Sequence, residues 1–159
     1  MKYTMTLPYP LSANKYWRPV VIKGHSTIVP TKEAKAYKDE IGWLVKKAGI
    51  RSPLAGRVRV HICLYPGLPQ DHAKRKREDP MNWDDDVRCI DLDNARKVLY
   101  DAFKGVLFTD DRWVWADSAE RMEPIGAACV HVTVEQIVRQ SPQPSLDLPV
   151  VRQPERVPF

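Results

Sequence analysis

The residues that could carry out chemistry lie close together in one part of this sequence. Asp91 and Asp93 are separated by a single residue, Lys97 follows one helical turn later, and Asp110 and Asp111 come further along. Carboxylates that converge in a fold repel one another, and a hard divalent cation with oxygen ligands is a common way to neutralise them. The stretch therefore predicts a divalent-metal site with a lysine beside it.

Asp91 and Asp93 can share a cation only if the pair straddles the start of a helix. Residues two apart point to the same side in an extended chain, but point in nearly opposite directions within a helix. Apolar residues recur at helical spacing over 90–106, and they place the helix start near Asp93. Lys97 then lies on the same helix face. In the alternative interpretation, Asp93 is only an N-cap and Lys97 only its helix partner.

Carboxylates that hold Mg²⁺, with a lysine near the developing negative charge, suit the hydrolysis of a phosphodiester. The stretch lacks the glycine and the alternating oxygen ligands of a calcium-binding loop, and the chain has no glycine-rich phosphate loop. With 25 Lys and Arg against 20 Asp and Glu, the net charge is +5, which favours a polyanionic partner. The reaction class that the residues favour is therefore phosphodiester hydrolysis.

The elements that must position these residues are predicted from hydrophobic periodicity. Alternation of apolar and polar residues indicates strands, and apolar residues three and four apart indicate helices. We predict an α/β protein of the α+β type, with a small mixed sheet of about four to six strands and two main helices. The predicted strands are 2–7, 57–65, 112–116 and 126–138, with a hairpin over 20–29, and the predicted helices are 31–48 and 90–106.

Two segments are rich in basic residues. Residues 66–89 have no periodicity and contain three prolines, which predicts a long irregular loop. Its basic run is either a solvated surface or a phosphate contact, and its place just before the acids favours contact. The polar, aromatic and basic stretch 12–18 is either a structural turn or another phosphate contact. The candidate contact residues are Asn14, Lys15, Arg18, Lys74, Arg75, Lys76 and Arg77.

The chain of 159 residues suits one domain, which we place at 1–138. The proline-rich residues 139–159 have few apolar anchors and are predicted to form a flexible tail. No apolar run reaches the roughly 20 residues that a membrane helix needs, and the N-terminus lacks the pattern of a signal peptide. Three widely spaced cysteines form no disulfide framework, so we expect a cytoplasmic protein.

The motif Asp91-Leu92-Asp93-Asn94, followed by Lys97, Asp101-Ala102 and Asp110-Asp111, resembles the RusA family of Holliday-junction resolvases of bacteria and their phages. The N-terminal pattern Pro10-x-Ser12-x-Asn14-x-x-x-Arg18 adds to this resemblance, which covers about residues 1–138. The resemblance implies a RusA-like fold and a homodimer that depends on Mg²⁺, with Mn²⁺ as a substitute. It makes Asp91, Asp93 and Asp111 the metal-binding catalytic acids, with Asp110 as the alternative to Asp111, and makes Lys97 a phosphate or transition-state contact.

The expected function is therefore that of an endodeoxyribonuclease, encoded by a phage or prophage, that resolves Holliday junctions by paired symmetric nicks in recombination and repair. The expected partner is branched DNA, which the seven basic and polar candidates would contact. The chain departs from the family in two places: acids at 84–86 precede the motif where basic residues are usual, and the loop before it is longer. Two alternatives are a less selective flap or branched-DNA nuclease and a branched-DNA-binding protein without activity.

Overall fold

A computed structural model of the protein describes residues 1–139, and most of the predicted tail lies outside them. The described chain contains six strands and four helices in a mixed α and β arrangement, as the sequence predicts. The strands are β1 (Lys2–Pro8), β2 (Trp17–Ile22), β3 (His25–Pro30), β4 (Val58–Tyr65), β5 (Val114–Arg121) and β6 (Cys129–Gln136). The helices are α1 (Ala13–Tyr16), α2 (Lys32–Lys47), α3 (His72–Glu78) and α4 (Leu92–Phe103).

Four of the strands form one mixed sheet in the order β1-β6-β4-β5. The pairs β1–β6 and β6–β4 are antiparallel, whereas β4 and β5 run parallel. A parallel pair needs a long crossover connection, and α3 and α4 both lie in the segment that joins these two strands. Helix α4 therefore begins near the middle of that crossover, and β5 begins where it ends.

The core lies between this sheet and the two long helices. Every second residue of β4, from Val58 to Leu64, is fully buried, which is the period-two pattern of a strand with one face against the core. Helix α2 buries Ile41 and Val45, and α4 buries Leu99 together with four other residues. These apolar stripes fix α4 against the sheet, so that its polar face, which carries the candidate acids, points away from the core.

Helix α2 begins and ends with the residues that the sequence indicates. Thr31 is the N-cap, and its side-chain oxygen accepts a hydrogen bond from the backbone N–H of Ala34 at 3.2 Å. Gly49 follows the helix with a φ of +96°, a conformation that suits glycine. Local sequence therefore accounts for both ends of this helix.

Strands β2 and β3 form a separate two-stranded sheet that is not hydrogen-bonded to the main one. The turn between them contains Lys23 and Gly24, both with positive φ, as the tight turn of a hairpin with right-handed twist requires. The predicted hairpin is thus present and longer than expected.

The structure corrects two expectations. Residues 66–89 are not irregular throughout, because the basic run forms α3 and Trp83 and Val87 are buried. The strand predicted at 112–116 starts only at Val114, after a 3₁₀ turn over Asp111–Trp113, and it pairs parallel to β4. Among residues 1–139, no helix is both long enough and apolar enough to span a bilayer.

Candidate active site

The start of α4 holds the first two candidate acids. Asp91 is the N-cap residue, with extended backbone angles, and its carbonyl accepts the N–H of Ala95 at 2.9 Å. Its side chain makes no capping hydrogen bond, so the carboxylate is available for other contacts. Asp93 lies in the first helical turn. The pair straddles the helix start, and the N-cap is Asp91, not Asp93 as in the alternative interpretation.

Lys97 lies one turn beyond Asp93 on the same face of α4. Its Nζ is 2.7 Å from Oδ2 of Asp93, and both side chains are more than half exposed. An exposed pair of this kind adds little to stability. It does, however, hold an ammonium group beside a carboxylate at the surface. A phosphate that bound there could replace Asp93 as the partner of Lys97.

The two consecutive aspartates before β5 have different surroundings. Asp110 caps the 3₁₀ turn by accepting the N–H of Arg112 at 3.1 Å, and it forms an ion pair of 2.9 Å with Lys104. The hydrogen bond from Lys104, followed by that backbone bond, lowers the pKa of Asp110 to about 2. Asp111 is exposed and makes no ion pair among the described residues. Asp110 is thus engaged in local structure, while Asp111 is available to a ligand.

Asp93 and Asp111 line the same surface cavity, which we call the acidic cleft and which has a volume of about 450 Å³. The cleft follows the polar face of α4, where residues three and four apart lie side by side. Its other residues are basic, aromatic or acidic. Its lining is Trp17, Asp93, Arg96, Lys97, Tyr100, Asp101, Lys104 and Asp111.

Asp91 faces a neighbouring cavity of about 540 Å³ instead of the acidic cleft, and shares it with Lys15, Arg88 and Asn94. The three predicted metal ligands are therefore not gathered into one cluster. Within residues 1–139, no group of three or more His, Cys, Asp or Glu residues lies close enough together to hold a metal ion. The spacing in sequence placed Asp91 and Asp93 correctly at the helix start, but did not show that they open towards different cavities.

The carboxylates nevertheless fit a magnesium ion on chemical grounds. Mg²⁺ prefers oxygen ligands, keeps several of its waters, and is usually bound by one or two carboxylates together with substrate phosphates. Asp111 supplies an exposed carboxylate on the acidic cleft, Asp93 shares its carboxylate there with Lys97, and Asp91 supplies one in the neighbouring cavity. A set of this kind suits a cation that arrives with a phosphate more than a cation held permanently by protein.

The structure adds Asp101 to the site. Its carboxylate accepts a hydrogen bond from the hydroxyl of Tyr16, a buried residue of α1. Burial, and then the bond to Asp101, raises the pKa of the Tyr16 hydroxyl, which stays protonated as a donor. The contact fixes α1 against α4 and orients Asp101 in the cleft. Asp93, Lys97 and Asp101 are four residues apart in the sequence. This spacing places their side chains in a row on one face of a helix.

Two residues that line the cleft, Arg96 and Tyr100, share a partner outside it. Arg96 Nε lies 2.9 Å from Oδ2 of Asp117, and the Tyr100 hydroxyl donates to the same oxygen at 3.0 Å. Both partners come from α4, and Asp117 comes from β5. Sequence reasoning missed this contact because nothing in the local pattern shows that β5 lies beside α4.

The predicted contact residues fall into two groups. Lys15 shares the cavity of Asp91, while Asn14 and Arg18 line a shallow groove next to the acidic cleft. The basic run of α3 lies elsewhere and is largely paired: Lys74 with Glu78 at 3.8 Å, Arg75 with Asp71 and Asp86, and Lys76 with Glu123 at 3.1 Å.

Comparison with known proteins gives a consistent result. The family described as "Endodeoxyribonuclease RusA" matches residues 8–135. The curated "Crossover junction endodeoxyribonuclease RusA" of Escherichia coli strain K12 is 29% identical over 119 residues, which is 74% of this chain and 75% of that protein. The protein of the same name from Escherichia coli O139:H28 is 31% identical over 114 residues, or 70% of this chain and 76% of its own. That of Shigella sonnei is 30% identical over 119 residues, with 74% and 75% covered.

Proposed function

Because the chain belongs to the RusA family of endodeoxyribonucleases, we propose that it resolves Holliday junctions by Mg²⁺-dependent, paired symmetric nicks in the cytoplasm of a bacterium or a phage-infected host. The observation that carries this proposal is the polar face of α4, which presents Asp93 and Lys97 together with Asp111 in one cleft. Carboxylates that bind a cation, with an ammonium group beside them, can stabilise the negative charge that develops on a phosphodiester during hydrolysis.

In this proposal Asp93 and Asp111 would hold the cation in the acidic cleft, and Asp91, from the adjoining cavity, would act on it through one of its waters. A bound divalent cation supplies Lewis acidity and a water of lowered pKa. Lys97 leaves Asp93 and donates to a non-bridging oxygen of the scissile phosphate. Tyr16 donates a hydrogen bond to the carboxylate of Asp101, which lines the cleft. This carboxylate would accept a proton from a water or hold a second hydrated cation.

The protein acts as a homodimer in this proposal, because a four-way junction offers two equivalent strands and a twofold dimer offers two equivalent sites. The basic residues beside the cleft, Lys15 and Arg18, contact the phosphates of the arms with Asn14. The paired basic residues of α3 remain candidates for such contacts.

The test compares the wild-type protein with an Asp93→Asn variant on a four-way junction, a flap and a plain duplex, over a titration of Mg²⁺ and of Mn²⁺. We expect paired nicks in the junction and a loss of about a hundredfold or more in the rate of the variant, because a ligand to the reacting centre is removed. Binding of the junction should be retained. Asp39→Asn is the matched control, because Asp39 is an exposed helical aspartate without an ion pair among the described residues.

A readout that is independent of cleavage is thermal stabilisation by Mn²⁺, which should be present in the wild type and in Asp39→Asn but reduced in Asp93→Asn. Equal cleavage of junction, flap and duplex would instead indicate a less selective nuclease. Binding of the junction without cleavage at any metal concentration would indicate a binding protein without activity.

A further inference from the structure

One face of the β2–β3 hairpin is apolar and open to solvent. Side chains alternate along each strand, so that every second residue of β2 shares a face with its cross-strand partners in β3. Val21 is 76% exposed and Ile28 is 71% exposed. The side chains of this face, which we call the apolar hairpin face, belong to Trp17, Pro19, Val21, Ser26, Ile28 and Pro30.

Exposed apolar side chains in a group usually mark a surface that binds something. A hairpin that stands alone gains little stability from such side chains, and within residues 1–139 no third strand pairs with β2 or β3. The stability of the fold therefore does not explain why Val21 and Ile28 are apolar.

The apolar hairpin face begins at the acidic cleft. Trp17 lines that cleft and also lines the adjoining groove of about 550 Å³, where it lies with Arg18, Pro19 and Ile28. A ligand with its phosphate beside Asp93 would therefore have its neighbouring groups directed along the hairpin.

The charge around this face selects the kind of ligand. Residues 1–32 contain five Lys and Arg and no Asp or Glu. Lys15 lies in α1 just before the hairpin, Arg18 in β2 and Lys23 in the turn, and none of them forms an ion pair within the described part of the chain. A second copy that docked on the same face by a twofold axis would bring these cations against their own equivalents, which is unfavourable. A polyanion with flat apolar surfaces, such as DNA with exposed base faces, fits both the charge and the apolar side chains.

We propose that the apolar hairpin face is a wedge that packs against unstacked bases at the branch point of the DNA while the basic residues around it hold the phosphates. Apolar side chains that insert at a base step unstack it at a cost of a few kcal/mol, and that cost is lowest where a branch has already interrupted the stacking. The inference rests on the proposed function and adds to it the feature that would distinguish a branch point from a plain duplex.

The experiment uses a four-way junction with 2-aminopurine next to the branch point, because this base brightens when it loses its stacking neighbours. Binding of the full-length Asp93→Asn protein, which is expected not to cut, should increase the fluorescence. Adding Val21→Thr and Ile28→Thr should remove at least half of that increase and weaken junction binding by about tenfold. Threonine keeps the β-branched shape, so the hairpin should be retained. Affinity for a plain duplex should change by less than about twofold.

Ile125→Thr is the matched control, since Ile125 is 64% exposed and lies outside the hairpin; it should leave the fluorescence and both affinities unchanged. An unchanged increase in the double variant would overturn the wedge, as would a wild-type increase of zero on a junction that is bound and cut. In either case the proposed function would stand.

Sedimentation measures whether the double variant is still a dimer. A wild-type dimer that becomes a monomer in the double variant would assign the face to contact with a second copy and would also overturn the wedge. If the wild type neither binds nor cuts the junction, the proposed function itself fails.

Discussion

The two basic segments of this protein differ in what their charges face. Around the hairpin, Lys15, Arg18 and Lys23 have no acidic neighbours in sequence, since residues 1–32 lack Asp and Glu. In α3, by contrast, three of the four consecutive basic residues form ion pairs with acids of the described chain. Two segments that look equally basic in sequence thus present very different fields to a polyanion.

The difference arises from where the acids lie. The partners of α3 come mostly from its own segment, as with Asp71 and Glu78, and one of them, Glu123, comes from the chain just after β5. Arg75, held between Asp71 and Asp86, has a raised pKa because of these carboxylates, chiefly the hydrogen bond to Asp71. Local net charge, not the number of lysines and arginines, decides which segment attracts DNA.

The paired charges of α3 also serve a structural purpose. Trp83 is buried, donates from its indole N–H to Glu123 at 3.0 Å, and lies under the ammonium of Lys76 at 4.5 Å from the ring centre. Arg121, at the end of β5, donates to two backbone carbonyls of the same segment, those of Asp84 and Val87. The segment is therefore attached to the sheet through polar contacts around one tryptophan.

The largest effect expected from this comparison is on stability. Trp83→Ala removes a buried ring and its contacts, and we expect the free energy of unfolding to fall by about 3 kcal/mol. Junction affinity at temperatures where the variant is folded should stay within about twofold of the wild type, because α3 contributes structure more than binding. Urea unfolding and a junction-binding titration measure the two quantities.

Trp43→Ala is the control for this change, since Trp43 is 60% exposed on α2 and its loss should cost about 0.5 kcal/mol or less. A Trp83→Ala variant with unchanged stability but lost junction binding would reverse the assignment of the two segments.

The next effect is on DNA binding. Lys15→Gln combined with Arg18→Gln removes two unpaired cations near the cleft, and we expect junction affinity at low salt to fall by about tenfold. The salt dependence of the affinity should become shallower, with the slope of log K against log salt reduced by about 2. Fluorescence anisotropy over a series of salt concentrations measures both.

The matched variant is Lys74→Gln with Lys76→Gln, which removes the same charge from α3. Because both lysines are paired with glutamates, affinity should fall by less than about threefold and the slope should hardly change. Equal losses in the two double variants would mean that net charge alone governs binding, and the contrast between the segments would be lost.

These contrasts show what the sequence can and cannot predict. Periodicity predicts β1, β4, β6, α2 and α4 because each has one apolar face against a shared core. It also places Asp91 and Asp93 across the start of α4, since helical spacing fixes where the turns begin. Local rules are sufficient when the burial of one face decides the structure.

The failures are those that depend on distant contacts. Helix α3 has no buried side chain and only one i,i+4 lysine–glutamate pair within it, so periodicity does not reveal it; its order depends on Trp83 and on the end of β5. The parallel pairing of β5 likewise follows from the sheet and not from the residues 110–116. The separation of Asp91 from the acidic cleft is another such case, because it depends on how α1 and the chain before α4 divide the surface into two cavities.

The smallest effect concerns a single carboxyl group, Glu123. Its pKa lies below the ordinary value, first because of the ammonium of Lys76 and then because of the indole N–H of Trp83. A group whose pKa is lower in the folded state stabilises the fold above its unfolded pKa and loses that contribution as the pH falls through the lowered value.

Lys76→Gln should therefore raise the pKa of Glu123 towards the ordinary value of about 4.3, as measured from its carboxyl carbon shift by NMR. Lys74→Gln, which removes an equal charge that contacts Glu78 instead, should leave the pKa of Glu123 unchanged. Equal shifts in the two variants would show that α3 acts on Glu123 through its overall field instead of through the Lys76 contact.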